Sequence, residues 1–441
     1  MKTTVAKFGG TSLASAGQFR KVKEIIESDP SRRIIIVSAP GKRFGEDVKV
    51  TDQLMEVFRL AGRNEDFHPL LDTVRQRFEE IAEGIGAAID LKKEFEEIEA
   101  RISERPDKDY VISRGEYLNA KLLSDYLGFT FVDPEWCVCF DEDGTMNPEL
   151  SRRMIRASLL PLETAVIAGF YGADSRGNIR TLPRGGSDVT GSLAAAAANA
   201  DLYENWTDVC GLLAADPRIV DHPKTVKYVT YRELRTLSYM GASVLHTDAV
   251  LPVSDLDIPI NIRSTDEPED SGTTIVRTLP AGETKYPIIG VAGRKGMSVI
   301  QVEKLMASDG AGFTAVMLDI LKSMGLPFEH CLTGIDTVTL VIRSDLLEPC
   351  REQLFSRIRE ELNPDYLGLS DHLSMIAVIG EKGSNSSSAN IRALNSLTDA
   401  GIPVNTINQG AGKLNLLIGV PEEKYEDAIR CIYETIEKAG L

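Results

Sequence analysis

At 441 residues the chain exceeds what one hydrophobic core serves, and two or three domains are expected. Its apolar (43%) and charged (26%) contents are those of a globular protein. The net charge of −17 argues against nucleic acid as a partner, while still allowing a small, locally positive site for an anion. The opening Met1-Lys-Thr-Thr-Val enters a strand pattern at once, without a signal peptide, and no apolar run is long enough to span a bilayer; the expectation is a cytoplasmic enzyme. Six scattered cysteines, Cys137 and Cys139 being the only close pair, predict reduced, mostly buried thiols. Five histidines, none paired at helical spacing, give no protein metal site; a divalent ion would enter with a nucleotide, held by oxygens.

The first strand-like run, Thr3–Phe8, leads into Lys7-Phe8-Gly9-Gly10-Thr11-Ser12 and then a helix pattern through Phe19, Val22, Ile25 and Ile26. A Lys at a strand end, two glycines and two hydroxyls before a helix form a good anion cradle. It is not a Walker A loop, because the Lys precedes the glycines. Further strand-like runs, Arg33–Ser38, Phe129–Val132, Thr164–Gly169 and Leu202–Thr207, alternate with long helical patterns, and residues 53–105 form a helical excursion. The alternation predicts an α/β domain with a largely parallel sheet.

Other polar segments fall where strands are expected to end. Ser38-Ala-Pro-Gly leads into a basic loop and Thr51-Asp52, and Ile112-Ser113-Arg114-Gly115-Glu116 follows. Arg184-Gly185-Gly186-Ser187-Asp188 precedes an Ala-rich helix that Ser187 or Asp188 can cap. Thr207-Asp208 and Asp216-Pro-Arg218 read as a loop over a nucleotide. Together these place cations, acids and two Gly-Gly loops at one sheet edge, where ligands bind in open α/β sheets.

The first domain is expected to end near Pro280. Beyond it the pattern shortens to two βαββαβ-like units, with strand runs at Ile288–Val291, Met297–Val302, Thr337–Ile342, Ser374–Ile379, Val404–Ile407 and Leu414–Gly419. The intervening helices are expected around Phe313–Met324, Leu346–Leu362, Ile391–Leu397 and Tyr425–Ile436, on one side of a small antiparallel sheet whose other side or edge can pair with a second copy. Gln409-Gly410-Ala-Gly412-Lys413 reads as a hairpin turn.

In order and spacing, Lys7–Ser12, Ser113–Glu116, Arg184–Asp188, Thr207–Gly211 with Asp216-Pro-Arg218, and Met240-Gly-Ala-Ser-Val-Leu-His246 resemble the aspartate kinases of the amino-acid kinase superfamily. The resemblance extends over essentially the whole chain. It implies an amino-acid-kinase-type α/β sandwich over residues 1–284. Two α+β, ferredoxin-like ACT domains would follow over 285–441, interleaved so that about 304–370 forms one unit and 285–303 with 371–441 the other. The implied reaction moves the γ-phosphoryl of ATP, with Mg²⁺, onto the side-chain carboxylate of L-aspartate.

By the same resemblance Lys7 and Asp188 are catalytic. Ser38, Thr51, Glu116, Arg184, Gly185, Gly186 and Ser187 bind the amino acid, with Arg184 on its α-carboxylate and Glu116 on its ammonium. Lys7, Phe8, Gly9, Gly10, Thr11, Ser12, Thr207, Asp208, Asp216 and Arg218 bind ATP. Asp309, Gly312, Phe313, His330 and Asp336 would meet an effector, lysine or threonine, where an ACT unit joins its twin in a homodimer or tetramer. The chain departs from the family at the 40–50 loop, at Cys210, at Leu213 and at Ser243, where many members carry a Lys. Two alternatives stay open from sequence: an amino-acid kinase with another acceptor such as glutamate, and a catalytically silent amino-acid sensor.

Overall fold

A computed structural model describes residues 2–183, 185–241, 245, 247–280, 288–305, 312–380, 386–409 and 415–438. The chain forms two compact units: Met1–Leu212 with Thr225–Ser238 and Ser243–Leu279, and Leu213–Lys224 with Tyr239–Ala242 and Pro280–Leu441.

In the first unit the strands are β1 (Thr4–Phe8), β2 (Arg32–Val37), β3 (Thr130–Val132), β4 (Cys139–Phe140), β5 (Ala165–Ala168), β6 (Tyr171–Asp174), β7 (Ile179–Thr181), β8 (Leu202–Thr207), β9 (Tyr228–Thr230), β10 (Ile260–Ser264) and β11 (Thr273–Val276). Its helices are α1 (Ala16–Glu27), α2 (Val50–Gly62), α3 (His68–Ile85), α4 (Leu91–Glu104), α5 (Lys108–Leu127), α6 (Pro148–Leu159), α7 (Gly186–Ala198), α8 (Tyr231–Tyr239) and α9 (Leu251–Ser254). Among the described residues the main sheet has eight strands in the order β3-β5-β2-β1-β8-β10-β11-β9, all parallel except for the β10–β11 pair.

Because β1 lies between β2 and β8, the chain turns to opposite sides at this point, and the loops leaving β1, β2 and β8 open a crevice at their carboxyl ends. Alternation along β1 fixes what faces each way. Ala6 and Phe8 join the core beneath α1 to α5, with Phe8 stacked on Trp206 at 6.0 Å between ring centroids. Lys7 points to the opposite face. That face is covered by α7, whose small residues permit a close approach: a Cβ at Gly191 would lie 2.5 Å from the Tyr203 hydroxyl.

Helix α1 starts at Ser15, which accepts from the Gln18 N–H, and buries Phe19, Val22, Ile25 and Ile26, about 1.5–3 kcal/mol each. Helix α5 differs from expectation. Residues 112–116 do not end a strand; they lie inside this 20-residue helix, capped by Asp107 and stopped by left-handed Gly128. It is buried nearly all round, with polar Ser113, Arg114, Glu116 and Asn119 among its apolar residues, so no single apolar stripe marks it in the sequence. Nor are the thiols mostly buried: Cys137 is, with burial pushing its pKa up to about 12, while the other five are partly exposed.

The second unit contains β12 (Gly290–Glu303), β13 (His330–Thr333), β14 (Thr337–Arg343), β15 (Tyr366–Ile379), β16 (Thr406–Gln409) and β17 (Asn415–Pro421), with α10 (Phe313–Ser323), α11 (Ser344–Leu347), α12 (Arg351–Leu362), α13 (Ser386–Asp399) and α14 (Tyr425–Lys438). Among the described residues these strands make an antiparallel sheet ordered β13-β14-β12-β15-β17-β16. The two short runs expected at 288–302 are one strand, β12, paired along its length with an equally long β15. Consequently β12 and β15 pass through two cores: one around Ile300, Met317, Leu340 and Leu354, the other around Val291, Ile376, Leu397, Ile418 and Ile429. The helix expected over Leu346–Leu362 is broken at Glu348-Pro-Cys350, where a 3-10 turn holds the proline. Strands β16 and β17 pair as the hairpin requires, and its turn, 410–414, lies outside the described residues.

Candidate active site

The crevice is organised by Lys7. Parallel register sets Lys7 opposite Asn205 on β8, so the two side chains share a face. The Lys7 Nζ lies 2.7 Å from Asp188 Oδ1 and 3.5 Å from Asn205 Oδ1, and Asn205 Nδ2 donates to Asp188 at 3.1 Å. All three are largely buried, and the triangle holds an ammonium at the head of the sheet with its orientation fixed.

Asp188 comes from the first turn of α7. Neither it nor Ser187 caps the helix; the N-cap is Gly185, at φ +83°, with no side-chain cap bond. This start is wedged against the turn after β5. A Cβ on Gly169 would touch Ser187 at 2.6 Å, and one on Gly186 would touch Leu182 at 2.7 Å. Phe170 in that turn has φ +79°, a strained value for an aromatic residue, and its N–H donates to Thr190 of α7 at 3.2 Å.

The loop after β1 packs backbone to backbone on the loop after β2. The Gly41 N–H donates to the Gly10 carbonyl at 2.7 Å. The N–H of Gly9 is engaged by the Trp206 carbonyl at 2.9 Å, so Gly9 offers close approach and not a donor. Phe8 offers backbone alone, its ring being in the core. Thr11 and Ser12 form a single 3-10 turn, and the buried Ser12 hydroxyl meets Thr265 at 3.0 Å.

Arg77, buried on α3, pins the departing 40–50 loop: its guanidinium donates to the carbonyls of Gly41, Val48 and Ala14 and pairs with Asp47 at 3.4 Å. The Asp47 carboxyl, hydrogen-bonded by Arg43, is held far below the usual carboxylate range.

Helix α5 closes the crevice on the β2 side. Glu116 is buried, and among the described residues its Oε2 has no hydrogen-bond partner. Desolvation lifts its pKa from 4.5 to about 8, against the N–H of Ala39 and its own N–H, which favour the ionised form. An unpaired buried carboxyl of this kind is suited to receive a cation.

A model of the amino acid kinase family matches residues 2–264, and an ACT domain model matches residues 376–436. Aspartokinase 3 of Bacillus subtilis (strain 168) is 34% identical over 98% of each chain. The chain belongs to the aspartokinase family. The crystal structure of Clostridium acetobutylicum aspartate kinase superposes with a TM-score of 0.88 at 39% identity, covering 99% of this chain and 100% of that one. At 23% identity, Escherichia coli aspartokinase III in complex with aspartate and ADP shares the fold, with a TM-score of 0.75 over 98% of this chain and 99% of that one. As an aspartokinase the chain is an ATP-dependent kinase.

Of the residues this aspartokinase was expected to use, Lys7 and Asp188 meet directly, and Ser38 and Glu116 both border the loop after β2. Thr51 lies in the first turn of α2. Thr207 ends β8, its hydroxyl bonded to Asp208 at 3.1 Å. Asp216 and Arg218 belong to the second unit and pair with each other at 2.6 Å. In that unit Gly312 and Phe313 start α10, His330 lies on β13, and the Asp336 carbonyl accepts from Lys304. Arg184, Ser243, His246 and Asp309 lie outside the described residues. Sequence reasoning gave no role to Asn205, Gly41 or Arg77.

Gly41 offers a direct test of the paired loops. A Cβ there would lie 2.5 Å from the Gly10 carbonyl carbon and 2.6 Å from the Thr11 nitrogen, backbone atoms that cannot swing aside. Gly41→Ala is expected to cost about 1–3 kcal/mol and to weaken nucleotide binding roughly tenfold, read by thermal unfolding and ADP titration. Unchanged nucleotide affinity would separate Gly41 from the nucleotide site.

Proposed function

We propose that the chain transfers the γ-phosphoryl group of ATP to the β-carboxylate of L-aspartate, giving 4-phospho-L-aspartate and ADP. The observation that supports this is the ammonium of Lys7 held by Asp188 at the end of β1, together with the buried Glu116 carboxyl, whose Oε2 has no hydrogen-bond partner among the described residues. The acceptor carboxylate is already ionised at neutral pH and needs no general base. The obstacle is repulsion between two anions, so positioning and cationic stabilisation carry the catalysis.

In this reading Lys7 bridges the acceptor carboxylate and the transferring phosphoryl, held by Asp188 and Asn205. Gly10, Thr11 and Ser12 turn backbone donors toward phosphate, and Thr207 and Asp208 face the nucleoside. Glu116 receives the substrate ammonium, while Arg184 takes its α-carboxylate beside Ser38, Thr51 and the Gly185–Ser187 turn. Mg²⁺ is proposed to be held mainly by the nucleotide phosphates. That ion would supply charge neutralisation on the phosphates.

The second unit is proposed as a regulatory region of two interleaved ACT domains, and the chain as a cytoplasmic homodimer or larger assembly joined through them. The effector would be lysine or threonine. Support for the region comes from the ACT match and from the two cores strung on β12 and β15. Among the described residues no helix is long and apolar enough to cross a membrane.

The test is ADP release with Mg·ATP and L-aspartate, L-glutamate or no acceptor, each with and without lysine and threonine. Aspartate-dependent release, suppressed by one effector, is expected. Equal release with glutamate would move the reading to another acceptor. Absence of turnover with tight lysine or threonine binding would make the chain a sensor.

A further inference from the structure

The exit of β10 reaches across the end of β8 to the loop after β1, and Thr265 makes both contacts. Parallel register sets Ser264 of β10 opposite Thr207 of β8. One residue further, Thr265 grips the Thr207 carbonyl twice, through its own N–H at 2.9 Å and its hydroxyl at 3.2 Å. The same hydroxyl lies 3.0 Å from the hydroxyl of Ser12, and both residues are buried.

A hydroxyl has one proton to give, and a carbonyl oxygen can only accept. Thr265 gives its proton to Thr207, so the bond with Ser12 runs from Ser12 to Thr265. The Ser12 proton is therefore committed within the protein. The result is a buried relay from the Ser12 hydroxyl through the Thr265 hydroxyl to the Thr207 carbonyl. The start of the same loop is tied to β8 directly, by the Gly9 N–H on the Trp206 carbonyl at 2.9 Å. Thr265 ties its far end. A further link from α1 to the exit of β10, Lys21 to Asp266 at 2.7 Å, has both side chains half exposed and adds little.

We propose that Thr265 is a positioning residue for the nucleotide, its hydroxyl fixing the Gly10–Ser12 backbone, which faces phosphate, against Thr207, which faces the nucleoside. The inference rests on the reading of these two loops as the ATP site. A ligand that spans both loops binds best when their separation is set before it arrives, because otherwise part of the binding energy goes to ordering them. Without the Thr265 hydroxyl, the buried Ser12 hydroxyl loses its acceptor, and the 3-10 turn that carries it is driven to find another.

The experiment titrates Mg·ADP into the wild type, Thr265→Val and Thr265→Ser by calorimetry. Wild-type binding comes first: its absence overturns the proposed nucleotide site, and the inference with it, before any variant is made. Valine keeps the shape and removes the hydroxyl, and the Kd for ADP is expected to rise roughly tenfold. Serine keeps the hydroxyl and should stay within about twofold of the wild type. In turnover the KM for ATP should rise in Thr265→Val by the same factor, with kcat and the KM for L-aspartate within about twofold.

Ser12→Ala breaks the relay at its other end. It should lose as much ADP affinity as Thr265→Val, and the double variant should lose no more than either alone. Unchanged ADP affinity in Thr265→Val, additive losses in the double variant, or equal rises in both KM values would overturn the inference. If Thr265→Val fails to fold, Thr265→Ala, alone and with Ser12→Ala, decides by the same titration.

Discussion

Lys7→Ala is expected to lower kcat by about 10²–10³-fold or more while leaving the KM for aspartate within a fewfold. The lysine is the fixed cation of the crevice, 2.7 Å from Asp188, and the positive charge it supplies matters most when negative charge is shared between acceptor and phosphoryl. Removing it also leaves the largely buried Asp188 carboxylate at the head of α7 with the Asn205 amide but no counter-cation among the described residues. Some loss of stability should accompany the loss of rate, on the order of 1–3 kcal/mol, read by thermal unfolding. Lys7→Arg keeps the charge but not the compact geometry; it should recover the stability and little of the rate. A Lys7→Ala enzyme with wild-type kcat would remove this lysine from the chemistry.

Glu116→Gln is expected to do two opposite things. The KM for L-aspartate should rise roughly 10²-fold, because the buried ammonium loses its counter-charge. Stability should increase, and only at neutral to alkaline pH. The folded-state pKa of Glu116 is about 8, above its ordinary value of 4.5, so the native protein holds a proton that the unfolded chain releases. Stability therefore falls as pH rises from about 4.5 toward 8, by on the order of a few kcal/mol in all, and the glutamine variant escapes that fall. Thermal unfolding at pH 5 and pH 8.5 should show similar midpoints at the first and a higher one for the variant at the second.

Binding of aspartate to the wild type below pH 8 should release a proton as Glu116 ionises against the ammonium, visible as a buffer-dependent heat in calorimetry. A variant that binds aspartate normally would place the ammonium elsewhere.

Much of this site was legible in the sequence because its parts are short, polar and local. Lys7 near the end of a strand and Asp188 at the start of a helix each lie beside a Gly-Gly turn, and such turns announce themselves whatever the surrounding topology. Asn205 was not assigned, because its meaning depends on β8 lying beside β1, a pairing between residues about two hundred apart that no local pattern encodes. Glu116 was expected at the end of a strand and lies inside a helix. Helix α5 is buried on all sides and carries its polar residues inward, which breaks the period that identifies a surface helix.

The short strands β9 and β11 at the far edge, and β10 beside them, were missed for a related reason. Segments of three to five residues acquire their strand identity from neighbours, not from their own composition. Gly41 and Arg77 act on backbone carbonyls of distant loops, and such contacts leave no trace in residue spacing.

The most direct measurement of the central assignment is the chemical identity of the product. An acyl phosphate reacts with hydroxylamine to give a hydroxamate, so the enzyme supplied with Mg·ATP, L-aspartate and hydroxylamine should accumulate aspartyl hydroxamate on the β-carboxyl group, one for each ADP formed. Wild-type protein should form it, and Lys7→Ala protein should form about 10²–10³-fold less per unit time. ADP release without hydroxamate, or a hydroxamate at the α-carboxyl group, would contradict phosphoryl transfer to the side chain of aspartate in this crevice.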